Sequence, residues 1–170
     1  HAAGNLERVV KNGGRVYSYT HDNVGNLLTV TNPLNQTMSY TYDSMNRKTS
    51  ETDLGGNTQS YTYDLNGQML TFTNKLGGVS SFEYDANGNI SSATDAENRK
   101  VSYTYDLADR LISVTEANIV VAEYAYDSVG NLITYKDGNG KDTAYTYNQL
   151  GEMTSTTDPL GNVKKFSYNA

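Results

Sequence analysis

Cysteine is absent, so no disulfide holds the fold, and thiol content says nothing about redox compartment. Histidine occurs only as His1 and His21, which leaves a histidine metal site or a Ser/His/Asp triad with nothing to build on. No run of 18 apolar residues exists, so no transmembrane helix is expected. An excess of positive charge is also missing. With 13 Lys+Arg against 19 Asp+Glu the formal net charge is -6 and the pI about 4.8, which argues against nucleic acid or an anionic membrane as partner. Tryptophan is absent and hydrophobic residues make up only 36%, yet tyrosine reaches 15. Tyrosine joins apolar area to a polar tip and so suits a wall that is wet on one face.

Those tyrosines are periodic. Tyr40-Thr41-Tyr42-Asp43, Tyr61-Thr62-Tyr63-Asp64, Phe82-Glu83-Tyr84-Asp85, Tyr103-Thr104-Tyr105-Asp106 and Tyr124-Ala125-Tyr126-Asp127 recur every 21 residues without insertion. The spacing continues through Tyr145 and Tyr147 to Asn148 and then Asn169, and backwards to Asp22 and His1. A fixed short period means stacked equivalent units, so function belongs to the array rather than to one pocket. Both ends fall on repeat boundaries with no atypical capping repeat. The expectation is one array of eight repeats over residues 1–170, an excerpt of a longer shell-forming chain, with open edges prone to edge-to-edge self-association.

Each column makes one physical demand. Aromatics two residues apart share one face of a β-strand, and the Thr, Ser or Glu between them is strand chemistry. Three positions after the Asp come Gly67, Gly88, Gly130 and Gly151, with Gly4 and Gly25 before them and Asn46 and Asp109 as substitutes. All tolerate positive φ, which predicts a tight turn, type I followed by a left-handed residue. A second strand follows, as in Asn26 to Thr31, and a second turn, as in Thr157-Asp158-Pro159-Leu160-Gly161-Asn162. Both prolines, Pro33 and Pro159, stand in this second-turn column. Strand, turn, strand, turn with short connections predicts an all-β fold of antiparallel hairpin repeats in one continuous, spiralling sheet. A propeller with a four-stranded blade every two repeats is the competing closure. A lipid-spanning barrel fits less well, because its strands need about 9–11 residues.

Tyr-x-Tyr-Asp, then Gly-Asn-Leu, then Asp-Pro-Leu-Gly-Asn, at this spacing and over the whole chain, resembles the YD repeat of RHS proteins. That family includes bacterial polymorphic toxins, the C component of insecticidal toxin complexes, wall-associated proteins and teneurins. The resemblance implies a secreted or cell-surface β-shell that encloses or presents a C-terminal domain, often a toxin. Its expected partners are further YD repeats of the same parent chain and an enclosed cargo domain. The alternative is an adhesion surface that binds carbohydrate or another protein. His21 for Tyr, Asn148 and Asn169 for Asp, and Lys48 and Glu51 in apolar strand columns depart from the pattern.

Chemistry finds little purchase. The Asp column reads as turn capping rather than a carboxylate ladder, since Asn148 and Asn169 substitute for it. Asp137-Gly138-Asn139-Gly140-Lys141-Asp142 has the look of a calcium loop but places Lys141 where an oxygen ligand belongs. Asp158-Pro159-Leu160-Gly161 carries the letters of the aspartyl-protease stretch of toxin-shell relatives, yet it sits in the ordinary turn column and leads into another repeat. Gly55-Gly56 and Gly77-Gly78 lack the Lys and helix of a phosphate cradle. The segment reads as no enzyme and without cofactor or metal. Its signature residues, Tyr40 through Gly151 in the columns above, read as structural, with cross-strand ring contacts rather than sugar stacking as their role.

Overall fold

The computed structural model describes residues 4–169; the repeat position at His1 and the edge at Ala2 and Ala3 lie outside the described residues. Those residues form sixteen strands in one open antiparallel sheet whose order is the sequence order, with no helix among them. The chain divides into two compact units, His1–Phe82 and Glu83–Ala170. In the first, β1 (Arg8–Lys11), β2 (Arg15–His21), β3 (Leu27–Thr31), β4 (Thr37–Tyr42), β5 (Lys48–Thr52), β6 (Thr58–Tyr63) and β7 (Met69–Thr73) pair successively, and β7 pairs with β8 (Val79–Tyr84). In the second, β9 (Ile90–Thr94), β10 (Lys100–Tyr105), β11 (Leu111–Glu116), β12 (Ile119–Tyr126), β13 (Leu132–Asp137), β14 (Asp142–Tyr147), β15 (Met153–Thr157) and β16 (Val163–Lys165) do the same. Unbroken pairing through more than four strands excludes the four-stranded blades of a propeller.

An odd repeat poses a problem of parity. Side chains alternate faces with period two, so a strict 21-residue repeat would send successive tyrosine pairs to opposite faces. A one-residue bulge prevents this. In the first hairpin of a repeat Thr41 opposes Ser50 but Tyr42 opposes Lys48, leaving Thr49 extra. The same shift falls before His21, Tyr63, Tyr105, Tyr126 and Tyr147. The second hairpins shown by β3–β4, β5–β6 and β7–β8 pair without a shift. Within each unit these bulges keep the aromatic pairs on one face.

Both turn columns have the same build. At the first, Asn46 N–H donates to the Asp43 carbonyl (3.1 Å) and Asp43 N–H to that of Arg47 (2.9 Å), and Asn46 takes φ 62°. At the second, Asn35 N–H donates to Asn32 (3.0 Å) and Asn32 N–H to Gln36 (2.9 Å), with Asn35 at φ 60°. The turn between β11 and β12 departs: only Ala117 and Asn118, both at positive φ, lie between paired Glu116 and Ile119. The residue lost from the turn reappears as a second bulge at Val121, since Val114 opposes Ala122 and Thr115 opposes Val120. The period of 21 survives.

Substituting Gly130, at φ 100°, by Ala should lower stability by about 1–2 kcal/mol, the cost of a left-handed non-glycine residue. Asn46→Gly should change it by a few tenths at most. The midpoint of urea unfolding reads both.

Candidate functional site

The two faces and two turn edges of the sheet are the surfaces on which function can be built. The aromatic face is set by register. Tyr61 opposes Phe72 with ring centroids 5.5 Å apart, and Tyr124 opposes Tyr135 at the same distance. The second tyrosine of each pair spends its hydroxyl on the backbone. Tyr42 donates to the Leu27 carbonyl (3.0 Å), Tyr63 to Lys48 (2.9 Å), Tyr105 to Ile90 (3.0 Å), Tyr126 to Leu111 (2.9 Å) and Tyr147 to Leu132 (2.9 Å). Each acceptor opens the preceding second strand, where ladder pairing on that side has not yet begun; β3, for instance, pairs with β4 only from Thr29. The phenol thus satisfies a carbonyl that the sheet leaves open.

Lys48 and Glu51 interrupt this face with an ion pair at 2.7 Å. Residues three apart on a regular strand point to opposite sides; the bulge at Thr49 brings them together. Lys48 Nζ also lies 5.5 Å from the Tyr61 ring and 5.9 Å from that of Tyr40. Its hydrogen bond to Glu51 raises the Lys48 pKa and lowers that of Glu51.

The opposite face is a carpet of hydroxyls. Thr20 pairs with Thr29, Thr41 with Ser50, Thr62 with Thr71 and Thr146 with Ser155, at Oγ–Oγ distances of 2.6–2.7 Å. Where Glu83 replaces Thr, it accepts from Ser92 and pairs with Lys100. Among the described residues only Ala122 (8% exposed) and Ser92 (4%) are buried. Both faces therefore consist of half-buried and exposed residues.

On the turn edges each Asp grips its own loop. Asp43 Oδ1 accepts the amides of Met45 (2.9 Å) and Arg47 (3.0 Å), while Oδ2 accepts from the Arg47 side chain (2.7 Å). Asp64, Asp85, Asp106 and Asp127 accept the corresponding amides. Asn148 keeps both amide contacts, and the polarity of its outer atom is reversed: its Nδ2 donates to Glu152 (2.7 Å), whereas Asp127 Oδ2 accepts from Asn131 (2.8 Å). The +4 partner is a donor beside Asp and an acceptor beside Asn.

A second column of this kind went unread in the sequence: Asn32, Asp53, Asn74, Asp95, Asp137 and Asp158 accept the same pair of amides. Its 21-residue spacing was the available signal. The calcium-like Asp137 loop and the Asp158-Pro159-Leu160-Gly161 stretch are both ordinary members of it. Lys75 bridges two successive second turns by pairing with Asp53 at 2.7 Å, and draws the Asp53 pKa down to about 2, aided by the Asn57 amide. Asp43 is lowered first by the Arg47 amide and Asp127 first by the Asn131 side chain.

Successive first turns are tied together as well. Arg47 Nη1 donates to the Asp64 carbonyl (2.6 Å) and its guanidinium lies 4.8 Å from the Tyr63 ring; Arg110 repeats both contacts with Asp127 (3.1 Å) and Tyr126 (4.7 Å). Among the described residues no group of three or more His, Cys, Asp or Glu lies together as metal ligands would. The turn carboxylates are engaged by amides and side chains of their own turns and, at Asp53 and Asp109, of a neighbouring turn.

The Teneurin YD-shell family profile matches residues 1–114 and 43–170. No curated protein matches the chain. Among solved structures, the Photorhabdus luminescens Tc holotoxin pore aligns with TM-score 0.67 and 21% identity over 92% of this chain and 9% of that chain. The TcdB2-TccC3 complex aligns with TM-score 0.66 and 21% identity, covering 92% and 10%. The TcdB2-TccC3-Cdc42 complex gives 0.65 and 19%, covering 93% and 11%. At such identities the likeness is one of fold. The chain spans only 9–11% of the length of those structures' chains.

Reversed polarity at Asn148 makes a swap test. Asn148→Asp alone sets a carboxylate against Glu152 and should lower stability by about 1 kcal/mol; adding Glu152→Asn should restore it, as read from thermal unfolding. A second expectation concerns acid. The folded-state pKa values of Asp43, Asp53 and Asp127 lie below the unfolded 3.8, so their stabilisation is complete above that value and is lost as pH falls through the folded ones, about 2 at Asp53. Melting temperature should therefore decline across this acid window; a flat profile would contradict the assignment.

Proposed function

Because the chain belongs to the Teneurin YD-shell family, we propose that it is a structural, non-enzymatic wall segment of a secreted or surface-exposed shell whose parent chain encloses or presents a C-terminal domain, such as a toxin. The observation that carries this reading is the single-layer sheet whose chemistry is consumed by its own construction. The second-column hydroxyls of Tyr42, Tyr63, Tyr105, Tyr126 and Tyr147 hold backbone, and the Asx side chains from Asp22 to Asn148 and from Asn32 to Asp158 hold their loops. A wall needs this in every repeat, whereas a binding site needs it in a few.

The signature residues Tyr40, Tyr61, Phe82, Tyr103, Tyr124 and Tyr145, their second-column partners, the Asp column and the turn glycines are in this reading the parts of one eight-repeat array. Further YD repeats of the parent flank it, and cofactors play no part. An adhesion surface that stacks carbohydrate or a protein on the first-column rings is the competing reading. It has the half-exposed Tyr61–Phe72 pair in its favour.

Protease accessibility of the parent separates them. In the shell reading the region beyond the repeats resists a broad-specificity protease until the wall is unfolded. Equal cleavage before and after unfolding would refute enclosure. Glycan binding by this chain that vanishes on Tyr61→Ala and Phe72→Ala would establish the adhesion reading instead.

A further inference from the structure

Four Asn–Gly pairs stand at turns of the chain: Asn12–Gly13, Asn66–Gly67, Asn87–Gly88 and Asn139–Gly140. This dipeptide carries a reaction within itself. The glycine amide nitrogen attacks the asparagine Cγ, gives up its proton to solvent and closes a cyclic succinimide, while the side-chain nitrogen leaves as ammonia. Water then opens the ring at either carbonyl, to aspartate or to isoaspartate, whose main chain runs through the side-chain carbon. No reactant but water is needed, so the rate depends on whether the turn opens enough for nitrogen and Cγ to meet.

Three of the pairs are held shut by the Asp that opens their turn. Asp64 Oδ1 accepts the amides of Asn66 (2.9 Å) and Gln68 (2.8 Å), and the Gly67 N–H, the nitrogen that would attack, donates to the Asp64 carbonyl (3.3 Å). Asp85 accepts the amides of Asn87 and Asn89 (2.9 Å each) and Gly88 N–H donates to its carbonyl (3.1 Å). The Asn87 side chain is tied as well, its Nδ2 donating to Asp109 at 2.8 Å. Asp137 accepts the amides of Asn139 and Lys141 (2.9 Å each), with Gly140 N–H on its carbonyl at 2.8 Å. A nitrogen whose hydrogen is already donated, in a loop gripped by an Asx side chain, is kept from turning towards Cγ.

The turn at Asn12 is built differently. It opens on Lys11, which has no side-chain acceptor to offer, and joins the paired residues Lys11 and Arg15. Asn12 stands one place earlier in its turn than the other three asparagines in theirs. The turn bond is therefore made by Gly14 N–H to the Lys11 carbonyl (3.2 Å), and Gly13 N–H donates to no described residue. Lys11 to Arg15 are exposed. A Cβ at Gly13 or Gly14, at φ 82° and 73°, would meet nothing within 4 Å, so the loop is free to move.

We propose that the Asx residue opening a turn shields the Asn–Gly pair that follows it from succinimide formation, and that Asn12, whose turn lacks such a residue, is the site at which the folded chain converts to aspartate and isoaspartate. Isoaspartate there lengthens the short β1–β2 loop by a methylene, and the new carboxylate stands between Lys11 and Arg15. The Asx columns thus protect the turns that they shape.

The intact chain incubated in mildly alkaline buffer, then digested and mapped by mass spectrometry, reads the amide-to-acid mass shift at each pair, and isoaspartyl methyltransferase labelling reads the branched product. Asn12 should convert roughly tenfold faster than Asn66, Asn87 or Asn139, since the two Asx bonds of a shielded turn change its opening by at least that factor. In concentrated urea the four rates should converge. Lys11→Asp gives the Gly13 amide a side-chain acceptor and should slow Asn12. Asp64→Ala should speed Asn66 and leave Asn139 unchanged in the same molecule, which separates local release from general unfolding. If Asn139 rises too, the variant has unfolded and Lys11→Asp, at an exposed position, decides. Comparable rates at the four pairs in the folded chain, an Asn66 rate indifferent to Asp64→Ala, or an Asn12 rate indifferent to Lys11→Asp would overturn the proposal.

Discussion

One extra residue per repeat governs this structure. Twenty-one is odd, side chains alternate, and a sheet with two chemically different faces can repeat at an odd interval only if one register shift falls in each period. The shift between Thr41 and Tyr42 and its equivalents supply it. From that follow the aromatic face, the hydroxyl face and the ion pair of Lys48 with Glu51, whose side chains meet only because Thr49 is extra. The β11–β12 turn shows how strict the constraint is. A loop shortened by one residue is matched by a bulge at Val121, so Ala122 and Tyr124 still reach the aromatic face.

The second-column tyrosine also completes the backbone where the ladder to the next strand has not yet begun. Its hydroxyl reaches the first carbonyl of the neighbouring strand, 15 residues back, where the ladder has opened. The same column therefore sets the face with its ring and completes the backbone with its oxygen. Repeats without it are legible as weak points: His21 cannot reproduce a phenol, and it lies in the first described hairpins.

Much of this was legible in the residues. Tyr-x-Tyr declared a face, Asp-x-x-Gly declared a turn, and the short connections declared an antiparallel sheet in sequence order. Three features were harder to read, each for a physical reason. The second Asx column mixes Asn32, Asp53, Asn74 and Asp95 and is interrupted by Glu116, so no single letter marks it, although its spacing is exact to the residue. The bulge leaves no distinctive composition signal because its extra residues, Leu28, Leu70, Ile112 and Ile133 with Thr49 and Thr154, are ordinary strand residues. The tyrosine hydroxyl bonds backbone, and a carbonyl looks alike under every side chain.

A single layer stores its stability differently from a globular core. Among the described residues only Ala122 and Ser92 are buried, so each repeat is held by its neighbours through ladder bonds, cross-strand pairs of about 0.2–1 kcal/mol and turn contacts such as Arg47 to Asp64 and Arg110 to Asp127. Stability of this kind grows by addition along the strip. It tolerates large variation at any one site, which is why His21, Asn148 and the Lys48–Glu51 pair coexist with regular neighbours. It also leaves two faces and two edges unsatisfied by anything the strip itself contains.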